Sequence, residues 1–341
     1  MTKNVVVTGG AGFIAHHVIE YLLDNTDWNI VCLDRIDTAG NLNRLSDILK
    51  VRFKSDAKRV RFVYHDLRAE INQSVSNMIG HVDLILHLAA ASHVTRSILN
   101  PMEFVESNVI GTVNLLNYAR TQDSLERFVY FSTDEVFGPA VDGTPFTEYD
   151  RYNATNPYSA SKAAGEEMCV AYHNTYKLPI YITHTMNVYG ERQAPEKYVP
   201  MSIKKLLNGE TLKIHYSKTT ARYGSRNYLH AKDVASALMH ILNLTDIPEP
   251  KNHRGGRCPK FNISAGKEYS NYVIATILAD ALKVELKYEN YDPNIDRPGH
   301  DFSYAISGDY LRSLGWKPTI SVEQRMPQVA LWYRDNPQWL E

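Results

Sequence analysis

The chain has 341 residues, 44% of them apolar, enough for one large globular domain or two modest ones with a sizeable core. A formal net charge of −1 and an isoelectric point near 6.9 exclude the broad basic field that drives sequence-independent binding to nucleic acid or to a membrane surface, so an acidic ligand must be met by a local cluster of donors. Cys32, Cys169 and Cys258 form no CxxC pair, which argues against a disulfide framework and a zinc site and suits a reducing cytoplasm; no signal-like segment opens the chain, and no run approaches the roughly 20 apolar residues of a membrane span.

In chain order, short apolar runs alternate with longer segments of helical period. The runs are NVVVTGG, NIVCLD, RFVYHD, VDLILHLAA, RFVYFSTD and LPIYITHTMN; Ile14–Leu23 and Val105–Tyr118 are among the helical segments. Strands apolar on both faces belong in a parallel sheet covered by helices on each side, and such sheets place ligands beyond the carboxyl ends of their strands. The fold class predicted is therefore α/β, a doubly wound parallel sheet of the Rossmann type over residues 1–190. A smaller α/β unit over 191–341 is interleaved with it, and residues 230–246, which begin inside NYLHAKDVASALMHIL, return to the sheet unit. Ile247–Lys260, rich in Pro, Gly and Arg, reads as a surface loop.

The first βα turn, VVVTGGAGFIAHH, sets Gly9, Gly12 and Ala15 at GxxGxxA spacing. Small residues there permit the tight turn, the approach of backbone to a pyrophosphate and close helix–strand packing, while the helix N-terminus adds partial positive charge. The second strand ends in Asp34, about twenty residues on, where a carboxylate accepts the adenosine ribose hydroxyls and repels a 2′-phosphate; NAD is the cofactor this favours, with Arg35 partly offsetting the repulsion. Asp66 ends the third strand and reads either as a partner of the adenine amino group or as a strand-end cap. His16, His17 and Met186 read as helix-surface and packing residues.

After the fifth apolar run comes FSTDEVFG, and then NPYSASKAAGEEM, where Tyr158 and Lys162 lie one helical turn apart on one face. An ammonium and an oxidised nicotinamide beside the phenol would lower its pKa and let Tyr158 act as base toward a sugar hydroxyl, with Thr133 in the same proton network. Asp134 and Glu135 are superfluous for hydride transfer alone. Capping of the following turn is the ordinary use of such a pair.

Together TGGAGFI, AAASH, STDEVFG, YSASK, NVYG with APEK after it, and DRPGHDFSYAI make the chain resemble, over essentially its whole length, the nucleotide-sugar 4,6-dehydratases of the extended short-chain dehydrogenase/reductase family. The resemblance implies oxidation at C4, elimination of water across C5–C6 and hydride return to C6 of a nucleoside-diphosphate hexose, with NAD regenerated; dTDP- or UDP-glucose and UDP-N-acetylglucosamine are the candidates. In that scheme Thr133, Asp134, Glu135, Tyr158 and Lys162 are catalytic, Glu135 as base at C5 and Asp134 as acid toward the C6 hydroxyl. Gly9, Gly12, Phe13, Ile14, Asp34, Arg35, Asp66, Leu67, Leu88, Ala89, Ala90, Ser92, Ser107, Tyr158, Lys162 and Val188 would hold NAD. Ser92, Thr133, Asn187, Lys197, Tyr216, Arg226, Asn262, Arg297 and His300 would hold the nucleotide sugar, with no metal. The family pattern also implies a homodimer through a four-helix bundle built on Met102–Tyr118 and Ala163–Tyr176. His184 stands where the family carries Arg, and Val188 alters its NNYG; both changes are expected near the nucleotide base or the sugar. A 4-epimerase or decarboxylase of the same family shares Thr, Tyr and Lys without needing a C6 acid, and a non-catalytic NAD-binding sensor is the alternative from another class.

Overall fold

The computed structural model describes residues 2–37, 39–51, 57–140, 143–245, 247–248, 257–292 and 305–341. Seven strands, β1 (Asn4–Thr8), β2 (Asn29–Asp34), β3 (Val60–Tyr64), β4 (Leu84–His87), β5 (Arg127–Thr133), β6 (Ile180–Thr185) and β11 (Lys260–Ile263), form one parallel sheet in the order β11-β6-β5-β4-β1-β2-β3. Strands β1, β4 and β6 are buried at nearly every position, as the continuous apolar runs required. One face carries the Phe13–Asn25 and Ala231–Leu242 helices, whose Val18, Ile19, Leu22, Val234 and Leu238 pack with Val5, Val7 and Leu84. The other carries the Gly111–Ala119 and Pro157–Tyr176 helices, with Leu115, Leu116 and Cys169 against Val6, Ile85, Phe128 and Ile182. The doubly wound Rossmann architecture is thus present.

Order reverses between β1 and β4, each of which feeds a loop at the same end of the sheet, and this is the switch point where such sheets bind ligands. At that point the backbone leaves no room for a side chain. Gly9 has φ +67°, and a Cβ on it would lie 2.8 Å from the Ala89 Cα beyond β4.

Two three-stranded sheets make up the second unit: β7 (Asn187–Tyr189), β10 (Ser225–His230) and β12 (Glu268–Ser270), and β8 (Leu212–Ser217), β9 (Arg222–Tyr223) and β13 (Tyr288–Tyr291). Their core joins Tyr189, Ile203, Ile214, Ile274, Leu278, Val329 and Tyr333. The unit returns to the main sheet twice. Besides the Ala231–Leu242 helix it contributes β11, which pairs with β6 as an outer strand, so residues 260–263 sit in the sheet rather than in the smaller unit. Most of Ile247–Lys260 lies outside the described residues, but its end is no surface loop: Cys258 is buried, and Lys260 opens β11 with its side chain covered.

Candidate functional site

The carboxyl end of β5 delivers the first group. Thr133 ends the strand and caps the short turn Asp134–Phe137, its hydroxyl accepting the Glu135 N–H at 3.3 Å and donating to Asp134 Oδ1 at 3.1 Å. The turn aims its two acids differently. Asp134 is buried, whereas Glu135 is half-buried and its Oε2 accepts from Asn156 Nδ2 at 3.2 Å.

Asn156 is also the cap of the Pro157–Tyr176 helix. Its Oδ1 accepts the Ser159 N–H at 2.9 Å, Ser159 answers in a capping box, and Pro157 takes the first helical position. One residue therefore fixes both the start of the helix that carries Tyr158 and Lys162 and the carboxylate of Glu135. Deeper in the helix, the Lys162 ammonium lies 4.2 Å from the centroid of the Tyr130 ring, and Tyr130 donates to the Lys162 carbonyl at 3.2 Å.

Thr133, Asp134, Glu135, Tyr158 and Lys162 line a single pocket with Gly9, Gly12, Phe13, Ile14, Leu88, Ala90, Ser92, Asn187, Val188 and Lys197. A contiguous pocket adds Asp34, Arg35, Asp66, Leu67, Ala89 and Ser107. Every residue expected to hold a dinucleotide thus lines one pocket or the other. The glycine cradle is shaped for a pyrophosphate, and the Asp34 carboxylate is fixed by the N–H groups of Ala11 and Ile36 at 3.0 and 2.8 Å. Arg35 is turned onto Asp37 and Asp66, which leaves its charge answered by carboxylates beside Asp34. Burial pushes Asp66 up, but hydrogen bonds from Arg68, with Arg35 behind them, hold it down at about 2.

The electrostatics separate the acids from the phenol. Burial, and next Glu135, lift the Asp134 carboxyl to about 7 against the Thr133 hydroxyl and Arg226, and its Oδ2 has no hydrogen-bond partner among the described residues. Burial lowers the Lys162 ammonium to about 8, with Glu166 one turn on opposing the fall. The Tyr158 phenol, expected low, is instead raised by burial and by Glu135 and Asp134, with only the Thr133 hydroxyl acting the other way. Burial is the larger cause and the neighbouring acids add to it, while Lys162 is set against Tyr130.

The remaining expected ligands divide. Arg226 on β10 is buried, donates to the Ser225 carbonyl and is near enough to bias Asp134. Tyr216 packs on Tyr223, with ring centroids 5.1 Å apart, away from both pockets. Asn262 corrects the expectation: it is fully buried, its Oδ1 on His184 Nδ1 at 2.9 Å and its Nδ2 on the Phe146 carbonyl at 3.1 Å. His184, expected beside the ligand, lies in the same buried cluster, its Nε2 3.0 Å from Glu166 Oε2. Ser132, Tyr152 and Lys260 complete the cluster around Glu166; burial pushes that carboxyl up, but His184 first, then Lys260 and Ser132, hold it at about 2. Val188 does line the pocket. His16 and His17 are not on the helix surface but buried, their ring centroids 4.0 Å apart and tilted; Met186 packs inside. Arg297 and His300 lie outside the described residues.

Three contributors escaped the sequence reading. Tyr130 looks like any core aromatic of a strand. Glu166 carries a readable signal, since it stands four residues after Lys162 on the same helix. Arg44, which also lines the pocket, belongs to no motif. Among the described residues no group of His, Cys, Asp or Glu could hold a metal ion, and no helix is long and apolar enough to cross a membrane.

The sequence profile of the GDP-mannose 4,6 dehydratase family matches residues 6–329. The chain is 35% identical to the dTDP-glucose 4,6-dehydratase of Shigella flexneri, covering 99% of this chain and 94% of that protein. It is 37% identical to the low-salt glycan biosynthesis protein Agl12 of Haloferax volcanii, over 97% and 98%. The crystal structure of DesIV, a dTDP-glucose 4,6-dehydratase from Streptomyces venezuelae with NAD bound, superposes with a TM-score of 0.84 at 34% identity, over 99% of each chain.

Proposed function

This chain belongs to the GDP-mannose 4,6 dehydratase family, and we propose that it converts a nucleoside-diphosphate hexose, dTDP- or UDP-glucose or UDP-N-acetylglucosamine, to the 4-keto-6-deoxy sugar. It is an NAD-dependent hydro-lyase. The observation that carries the reading is the placement of a protonatable Asp134 and a separate Glu135 in the pocket that also holds Thr133, Tyr158 and Lys162. A 4-epimerase has no use for an acid at C6.

Bound in the pocket lined by Gly9, Gly12 and Lys162, NAD would supply the acceptor for the C4 hydride and the donor at C6. The residues do the rest. Tyr158 takes the C4 hydroxyl proton, oriented by Thr133. The C4 carbonyl then acidifies the C5 hydrogen, which Glu135 removes, held in place by Asn156. Asp134 gives its proton to the departing C6 hydroxyl, a role that suits a carboxyl lifted to about 7 beside the less buried Glu135 that serves as base. Glu135 returns its proton to C5. The proton gained at O4 remains on Tyr158 while Asp134 has lost one, and Thr133, bonded to Asp134 and close enough to bias the phenol, is the route that resets both.

Lys162, Gly9, Gly12, Asp34 and Asp66 hold the dinucleotide in this reading, and Ser92, Asn187, Lys197 and Arg226 face the sugar nucleotide. Residues 191–341, less the two segments returned to the sheet, carry the nucleotide-sugar side. Incubation with dTDP-glucose, UDP-glucose and their N-acetylglucosamine counterparts, followed by mass spectrometry, is expected to show loss of one water from one of them. Unchanged mass throughout, with an epimer appearing, transfers the chain to the epimerases.

The protein is proposed to work as a homodimer in the cytoplasm, the compartment its three unpaired buried cysteines suit. Ile98, Leu99, Met102, Val105 and Ile110 are exposed along one stretch, with Leu99 at 80% and Met102 at 60%, next to the Pro157–Tyr176 helix. Apolar residues so grouped mark a surface made for covering, and a second copy would lay the same helices across a two-fold axis. Sedimentation is expected at twice 38.8 kDa, and Leu99→Glu with Met102→Glu is expected to give the single mass; a wild-type monomer refutes the dimer.

A further inference from the structure

The last turn of the chain, Pro337–Leu340, packs behind the cofactor loop through one arginine. Arg44, at the start of the Asn43–Val51 helix, is 4% exposed. Its Nη1 donates to the Ala11 carbonyl at 2.9 Å and to the Ala39 carbonyl at 2.6 Å, and its Nε donates to the Arg192 carbonyl at 3.0 Å. Three backbone segments therefore meet on one guanidinium: the glycine loop, the loop after β2 and the loop after β7. The far side of the guanidinium lies 5.8 Å from the centroid of the buried Trp339 ring.

The loop after β7 is itself held by the C-terminal helix Val322–Asp335. Tyr333, fully buried, donates to the Gly190 and Gln193 carbonyls at 3.3 and 3.2 Å. Arg325 meets Glu191, and Arg192 reaches Asp47 while stacking near Trp332 and Trp339. The turn carrying Trp339 thereby packs behind Arg44, which lines the dinucleotide pocket 295 positions earlier in the chain.

We infer that Arg44 and Trp339 form a latch that retains the bound dinucleotide, Arg44 as a positioning residue and the C-terminal turn as its backing. The physical link is residue Ala11, through the peptide units on either side of its Cα. Its N–H is taken by Asp34 Oδ2 at 3.0 Å, and its carbonyl is taken by Arg44 and by the Asn41 N–H, also at 3.0 Å. Pinned on both sides by charged partners, Asp34 on the N–H and Arg44 on the carbonyl, Ala11 keeps the glycine loop in the shape that faces the pyrophosphate. An enzyme that takes up and returns a hydride on one cofactor gains from not releasing it between turnovers.

The inference rests on the reading that NAD occupies this loop. The test measures NAD that co-purifies with wild type, Arg44→Met, Trp339→Leu and Trp339→Phe, and the rate at which each loses NAD on dilution into an NAD-consuming system. Arg44→Met and Trp339→Leu are expected to lose NAD about tenfold faster or more, a factor that corresponds to about 1.4 kcal/mol, while Trp339→Phe, which keeps an aromatic face, stays close to wild type. With saturating NAD added, Trp339→Leu is expected to recover kcat with an unchanged KM for the sugar nucleotide. NAD loss at the wild-type rate in both disruptive variants overturns the latch, as does a raised sugar-nucleotide KM with NAD retention unaltered. If Arg44→Met does not fold, Trp339→Leu decides. A wild-type protein that binds no NAD refutes the underlying reading and the latch with it, a result separate from equal retention by all four proteins.

Discussion

Asp134→Asn is expected to lower dehydration by about 10²–10⁴-fold while C4 oxidation and C5 exchange continue. The carboxyl is lifted to about 7 by burial and by Glu135, so near neutrality it still carries the proton that a departing hydroxide needs. Asparagine keeps the shape and loses the proton. Single-turnover assays with the nucleotide sugar separate the steps: absorbance of reduced cofactor rises in the variant and persists, where in wild type it decays as water leaves. The sign of the pH dependence follows from the raised pKa. An acid must be protonated to act, so wild-type kcat falls as pH rises through about 7, and this alkaline limb is flattened in the variant. The same elevation is a stability statement. Folding favours the protonated form of Asp134, and that contribution, complete below the ordinary 3.8, is lost as pH rises through about 7, so Asp134→Asn is expected to melt higher than wild type at pH 8. An unchanged dehydration rate would remove Asp134 from the role of acid.

Glu135→Gln is expected to stop exchange of the C5 hydrogen with heavy water, by about 10²–10⁴-fold, and with it all product, while leaving the first hydride transfer. Glu135 is the less buried of the two acids and is tethered by a neutral donor, Asn156 Nδ2 at 3.2 Å, which orients a carboxylate without neutralising it. Glutamine can keep that hydrogen bond by rotating its amide, so loss of exchange reports the missing base and not a displaced helix. Deuterium entering C5 at the wild-type rate assigns the base elsewhere in the pocket.

What could be read along the chain was whatever chemistry is local in it. The glycine loop, the Thr-Asp-Glu turn and the Tyr–Lys helix each lie within a few consecutive residues, and their neighbours in sequence set their geometry, so the doubly wound sheet and the pocket followed from them. What could not be read depends on distant segments meeting. β11 has only four residues and finds its place beside β6 by packing, with no composition signal of its own. Asn262 and His184 look like ligand residues in a string but share one buried cluster, because β11 and β6 set them side by side in register. Likewise, i to i+4 spacing put Lys162 on the face of Tyr158, and only the packed structure shows the ammonium lying against the Tyr130 ring.

The late arrival of β11 has a consequence for synthesis. β6 ends at Thr185 and its outer neighbour begins at Lys260, so a nascent chain completes the glycine loop, the Thr-Asp-Glu turn and the Tyr–Lys helix well before the strand that covers β6's outer edge leaves the ribosome. During that interval the backbone of β6 offers an unsatisfied row of donors and acceptors to any passing extended peptide. That exposure of β6 ends when the later half of the chain sends the four residues of β11 back to pair along it.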